Sequence, residues 1–158
     1  MKFPFLFHGL IYSSLFCSCI LFVISCDNQV KNENLTSVKS DSLLQVTKLS
    51  DSLNQIYDYT KNKQSYELTF LEFGSVGCAE CKKMEKVLEQ VRTEFHDKIN
   101  VVFYNARIKE NKKIFELYGI QLIPVQVLLD KNGKERFRHN GYYPFDSLKY
   151  EFYKISKF

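Results

Sequence analysis

The apolar positions of this chain fall into three regimes. From Phe3 to Ile24 they form one nearly continuous block. Over residues 27–40 they are sparse and without period. From residue 41 onward they recur at the spacings of regular elements. Val46, Leu49, Leu53 and Ile56 return every three or four positions. This predicts a helix over 41–62 with a single apolar stripe laid on a core, capped by Asp41 or Ser42. Residues 66–73 read as a strand stopped by Gly74. A helix beginning near Cys78 carries Met84, Val87, Leu88, Val91 and Phe95 on one face. Its other face, with Lys82, Lys83, Glu85, Lys86, Glu89 and Arg92, is solvated. Val101 to Tyr104 is a second, buried strand, and Asn111 to Tyr118 a short helix ended by Gly119. Val125 to Leu129 is a third strand. Asn132-Gly133 signals a two-residue hairpin into a fourth strand around 134–138. Asp146 is placed to cap a last helix bearing Leu148, Phe152 and Ile155.

After the first helix the order is therefore β-α-β-α-β-β-α, an α/β domain with a mixed sheet of about four strands. The crossovers imply parallel pairing first, and the hairpin adds an antiparallel edge. No internal repeat is visible.

The three regimes also divide the chain. Lys2 followed by the apolar block reads as an export signal over residues 1–25. The block ends Val23-Ile24-Ser25-Cys26, similar to the lipobox of bacterial lipoproteins: an aliphatic residue, a small residue, then the cysteine that is lipidated. The resemblance makes Cys26 the lipid attachment site and first residue of the mature protein. An uncleaved signal anchor is the alternative, because the block is long enough to span a bilayer. Either way the globular part is exported. Residues 26–40 read as a flexible tether, and 41–158 as the domain. The expected location is the cell envelope, lipid-anchored to a bacterial membrane.

At 158 residues the chain suffices for one domain with a real core. A net charge of +4, scattered and without arginine stripes, gives nucleic acid no footprint. The five cysteines are more telling. Cys17, Cys19 and Cys26 belong to the leading segment, leaving Cys78 and Cys81 as a pair in the domain. That pair opens an amphipathic helix just past a strand. There the first cysteine meets unpaired backbone N–H groups and the positive end of the helix dipole, which favour a thiolate. Such settings bring a thiol pKa from about 8.5 down to roughly 3.5–7.5.

A zinc reading fails on ligand count. Structural zinc takes four ligands, there is no second C-x-x-C, and His8, His96 and His139 show no ligand spacing. Two thiolates suit Cu(I) better, with Met84 nearby, although Met84 also fits the apolar helix face. No metal or other cofactor is expected.

Cys78-Ala79-Glu80-Cys81 after a strand, Tyr118 to Pro124 ahead of the third strand, and Asp130-Lys131-Asn132-Gly133-Lys134 in the hairpin with Gly141 beyond it together resemble the thioredoxin family over roughly residues 65–158. The resemblance implies a three-layer sandwich with an extra N-terminal helix and thiol–disulfide exchange. In that scheme Cys78 is the nucleophile, Cys81 resolves the mixed disulfide, and the two form the redox disulfide. Pro124 is the cis-proline beside the pair, and Ile123 offers backbone groups to an extended substrate. Glu72 stands where many members have a buried aspartate that exchanges a proton with the second cysteine; burial would raise its pKa. The implied partners are exported protein thiols and disulfides and a protein that recharges the pair, with the domain a monomer.

The chain also departs from the family. Gly77 replaces the tryptophan, Ala79-Glu80 the Gly-Pro dipeptide, Lys86 the helix proline, and Asn105 a lysine near the buried acid. A negative Glu80 beside the thiolate raises the Cys78 pKa and leans the pair toward reduction or isomerisation. The competing readings are a redox-silent docking module on the same fold, or a Cu(I)-handling protein using the same two cysteines.

Overall fold

The computed structural model describes residues 32–157, with side-chain environments from residue 40 onward. The export signal over 1–25 and the lipidation site Cys26 lie outside the described residues, as does the start of the tether. The first helix, α1, runs Asn32–Tyr57. It begins well before the expected position 41, so residues 32–40 of the expected tether are helical. It also ends sooner than 62: Asp58 leaves helical geometry (φ −88°, ψ 89°) and caps a separate turn, α2 (Tyr59–Asn62), by accepting the Thr60 N–H. The reason lies in the hairpin. The Tyr59 N–H reaches the Lys131 carbonyl at 2.9 Å, and Asp58 bridges to Asn132. The helix is broken where the hairpin tip docks.

Four strands follow: β1 (Leu68–Gly74), β2 (Ile99–Asn105), β3 (Val125–Asp130) and β4 (Glu135–Asn140). Their order in the sheet is β2-β1-β3-β4. β1 and β2 are parallel, joined by the crossover α3 (Ala79–Glu94). β3 runs antiparallel to β1, and β4 antiparallel to β3. Antiparallel pairing thus starts at β3, before the hairpin. β1 is central and every one of its residues is buried. β2 is an edge strand, mostly half-buried with Phe103 exposed, rather than the fully buried strand its apolar run suggests.

Alternation along β1 sends Leu68 and Phe70 to one face, and Leu71 and Phe73 to the other. On the first face they pack with Met84, Val87, Leu88 and Val91 of α3 and with Leu148 and Phe152 of α5 (Phe145–Ile155). On the second they pack with Leu53 and Tyr57 of α1 and, from β3, Val125, Val127 and Leu129. Ile114 and Phe115 of α4 (Lys112–Leu117) close that side. The result is the expected three-layer α/β sandwich.

Two local readings change. α1 buries Leu53 and Tyr57, with Leu49 packed beside them, while Val46 and Ile56 are exposed. The stripe is therefore 49-53-57. The hairpin is not a two-residue turn. Asn132 keeps negative φ and only Gly133 is left-handed (φ +75°). The Gly133 N–H bonds to the Asp130 carbonyl, and the Asp130 carboxylate accepts the Asn132 and Lys134 N–H groups. That is a three-residue loop with a left-handed glycine at its end. At α5, Pro144 occupies the cap position and Asp146 sits in the first turn, where its charge still suits the dipole.

Candidate functional site

The site forms where three strands end together. Phe73 lies opposite Val125, so the segment leaving β1 toward Cys78 and the segment entering β3 through Pro124 meet at one end of the sheet. β2 ends there too, its loop tied to β1 by the Ala106 N–H on the Gly74 carbonyl at 2.8 Å. The Gly141 N–H bonds the Pro124 carbonyl at 2.8 Å and fixes the exit of β4.

Between β1 and α3 the chain makes one tight turn, closed by the Cys78 N–H on the Ser75 carbonyl. Its third residue, Gly77, has φ +93°, the left-handed region that such a turn requires there. A side chain at 77 would be strained and would also meet the Arg107 guanidinium, 3.3 Å from where its Cβ would stand. This local geometry accounts for glycine at 77. It also places a cation, which the sequence reading did not single out, against the residue preceding Cys78.

Cys78 is the N-cap of α3, its sulfur accepting the Cys81 N–H at 3.3 Å. Cys81 lies in the first turn and is only 5% exposed, whereas Cys78 is half-buried. The two are joined as a disulfide with Cα atoms 5.2 Å apart. Glu80 is exposed in the first turn of α3, beside Cys78, and pairs with Lys83 at 2.7 Å. The Ile123–Pro124 bond is cis; Pro124 is buried and Ile123 half-buried. Around these groups Val76 (59% exposed), Leu122 (75%) and Tyr142 (40%) leave apolar surface open.

Beneath the pair, Gly74 makes room: a Cβ there would stand 3.5 Å from that of Cys81 and 2.9 Å from the Phe103 ring. Glu72, two residues back on the same face of β1, is 1% exposed. Burial pushes its carboxyl up to about 8, only partly countered by a hydrogen bond from Gln126. Gln126 Nε2 donates to Glu72 Oε2 at 3.1 Å. The position facing Glu72 from β2 is Phe103, and Asn105 instead pairs with Gly74 and accepts the Arg107 N–H. Asn105 is therefore not the neighbour of the buried acid. Gln126 is, and a glutamine inside the apolar run Val125–Leu129 was the signal that could have found it.

Among the described residues no group of three or more His, Cys, Asp or Glu side chains could hold a metal ion. Met84 is fully buried in the α3 core, its sulfur accepting the Tyr143 N–H at 3.4 Å, which removes it as a ligand beside the cysteines.

The chain resembles known proteins in sequence and in fold. It is 33% identical to a thioredoxin of Rickettsia prowazekii and 32% identical to one of Rickettsia typhi, each over 66 residues. These matches cover 42% of this chain and 60% of the relatives' length. A thioredoxin from Halobacterium salinarum superposes with a TM-score of 0.53 at 20% identity, over 61% of this chain and 80% of that one. An exposed lipoprotein thioredoxin of Streptococcus pneumoniae gives 0.51 at 17%, over 60% and 89%. The family model of the thioredoxin-like domain matches residues 53–154, which takes in α3, the full sheet and nearly all of α5. With its cysteine pair capping α3 and its cis-proline at the same sheet end, the chain belongs to the thioredoxin-like family.

Proposed function

We propose that this protein is an exported, membrane-tethered thiol–disulfide oxidoreductase working in the direction of reduction or isomerisation. One observation carries the oxidoreductase reading: a disulfide-capable pair at a helix N-terminus, outer cysteine half-buried and inner cysteine buried, above a buried carboxyl. The Cys78 thiolate attacks one sulfur of a substrate disulfide. A Cys78–substrate bond forms, the substrate S–S bond breaks, and the first substrate sulfur leaves. Cys81 then attacks Cys78, closing the internal disulfide and releasing the second substrate thiolate. The substrate gains two electrons and the pair loses them. Glu72 takes the proton of Cys81 as that thiol attacks; an acid near 8 is matched to such a transfer close to neutral pH. Helix N–H groups support the Cys78 thiolate electrostatically.

The substrates are exported proteins carrying disulfides, held in extended form against Ile123 and Pro124 and over the open apolar surface of Val76 and Leu122. A separate redox partner returns electrons to the pair. A lipid on Cys26 holds the protein, as a monomer, at a membrane of the cell envelope with its domain outside the cytoplasm; among the described residues no helix is long and apolar enough to cross a membrane.

The test is turnover of a protein disulfide by the detergent-solubilised full chain. Cys78→Ser abolishes it, and Cys81→Ser accumulates a substrate mixed disulfide through Cys78. Activity that survives Cys78→Ser contradicts the reading.

A further inference from the structure

The buried acid has a partner that neither the motif nor the proposed chemistry assigns. Glu72 and Gln126 are both essentially inaccessible, at 1% and 0% exposure. They share one hydrogen bond, Nε2 to Oε2. The remaining oxygens, Glu72 Oε1 and Gln126 Oε1, are buried and take no hydrogen bond. Two orphaned acceptors on two side chains already joined are costly if the carboxyl is ionised. One proton on Glu72 Oε1 changes the count. The carboxylic acid then has an O–H to give, and the amide oxygen is the acceptor in want of one. Acid and amide together close a ring of two hydrogen bonds, O–H to C=O and N–H to C=O, with no polar atom unmet.

We infer that Gln126 is the positioning residue of the buried acid, holding Glu72 as a neutral acid–amide pair while the Cys78–Cys81 disulfide is closed. An amide suits this task because it serves both protonation states: its N–H supports the carboxylate and its C=O takes the proton of the acid. The raised affinity of Glu72 for its proton agrees with this. When an incoming thiolate opens the disulfide at Cys78, the S–S bond breaks and Cys81 leaves as a thiolate. The Glu72 proton passes to it, and Gln126 keeps the new carboxylate through its N–H. Reversed, the same path deprotonates Cys81. Besides the apolar core of this face, the pair is neighboured in the sheet by Phe103 of β2 and by His139 of β4, which is paired with Gln126 in register and tilted against the Tyr143 ring, with Cys81 of α3 over Gly74.

The inference rests on the proton-transfer role proposed for Glu72, so its test is separable from activity. The oxidised full chain is titrated by difference infrared spectroscopy. The buried-acid C=O band is identified by its loss in Glu72→Gln, which also separates it from His139. The wild type shows a hydrogen-bonded neutral acid at pH 6. In Gln126→Leu the band moves to the frequency of a free acid carbonyl. Proton affinity also rises about tenfold, because the charge-assisted N–H bond lost from the carboxylate outweighs the O–H bond lost from the neutral acid. Gln126→Asn, which keeps the amide but is one methylene shorter, moves the band in the same direction by less and serves if the leucine variant does not fold. A wild type with Glu72 ionised at pH 6, or a band and midpoint unchanged by both substitutions, overturns the inference. If the band behaves as expected while the pH profile of thiol exchange ignores Glu72→Gln, the acid–amide pair stands and the proton-transfer role falls.

Discussion

At the residue scale, Glu72 makes stability depend on pH in a definite sense. Its carboxyl binds a proton more tightly in the folded chain, at about 8, than at its ordinary value of 4.5. The favourable term is whole below 4.5, is lost as pH rises toward 8, and stays lost above. The slope is about 1.4 kcal/mol per pH unit in that window. Glu72→Gln, which is never charged, therefore gains on the wild type between pH 5 and pH 8 and keeps the gain above. Urea midpoints of the oxidised proteins at pH 5 and pH 9 check this; an equal difference at both pH values contradicts it. Gly77→Ala meets a different obstacle, a φ of +93° and the Arg107 guanidinium. It costs about 1–3 kcal/mol in chemical denaturation. Cys78 and Cys81 could be singled out in the sequence because they open a helix just past a strand, whereas Pro124 and Glu72 are picked out by the resemblance to the thioredoxin family. Gln126 is signalled locally only as a polar residue inside an apolar strand, and Arg107 not at all, because what matters about both is the residue they touch across the sheet or the loop.

At the scale of elements, the periodic segments were legible and their ends were not. α3 and β1 follow from the period of their apolar residues. The break at Asp58 comes from hydrogen bonds made by Tyr59 to a hairpin more than seventy residues later, which the helical period cannot carry. The same contact explains the stripe of α1. Leu53 and Tyr57 are held over Leu71, Phe73 and Val127, and Ile56 is turned outward. Leu53→Ala consequently costs about 2–5 kcal/mol. Ile56→Ala stays within about 0.5 kcal/mol. Denaturation midpoints that rank these two the other way would place the helix on the wrong face. The antiparallel course of β3 escaped the β-α-β reading because α4, of six residues, does not carry the chain back to start a parallel strand. A long crossover such as α3 does.

At the scale of the whole molecule, everything distinctive gathers at one end of the sheet. The disulfide, cis-proline, buried acid–amide pair and exposed Val76 and Leu122 share that end. Leu122→Asp should slow turnover of a protein disulfide while leaving reaction with a small aromatic disulfide nearly unchanged, as comparison of the two initial rates would show. Equal losses on both would deny Leu122 a role in polypeptide docking. The proposed lipid anchor at Cys26 is tested by fractionation: Cys26→Ser is expected to leave the detergent-extracted membrane fraction, and retention there contradicts the proposal. The most direct test of the account is the reduction potential of the Cys78–Cys81 pair in the full chain, equilibrated in graded thiol buffers and read by alkylation mass shift. One reversible two-electron transition is expected near the reducing end, about −270 mV. A transition near −120 mV would make the protein a disulfide donor instead, and the absence of any reversible disulfide would contradict the oxidoreductase function itself.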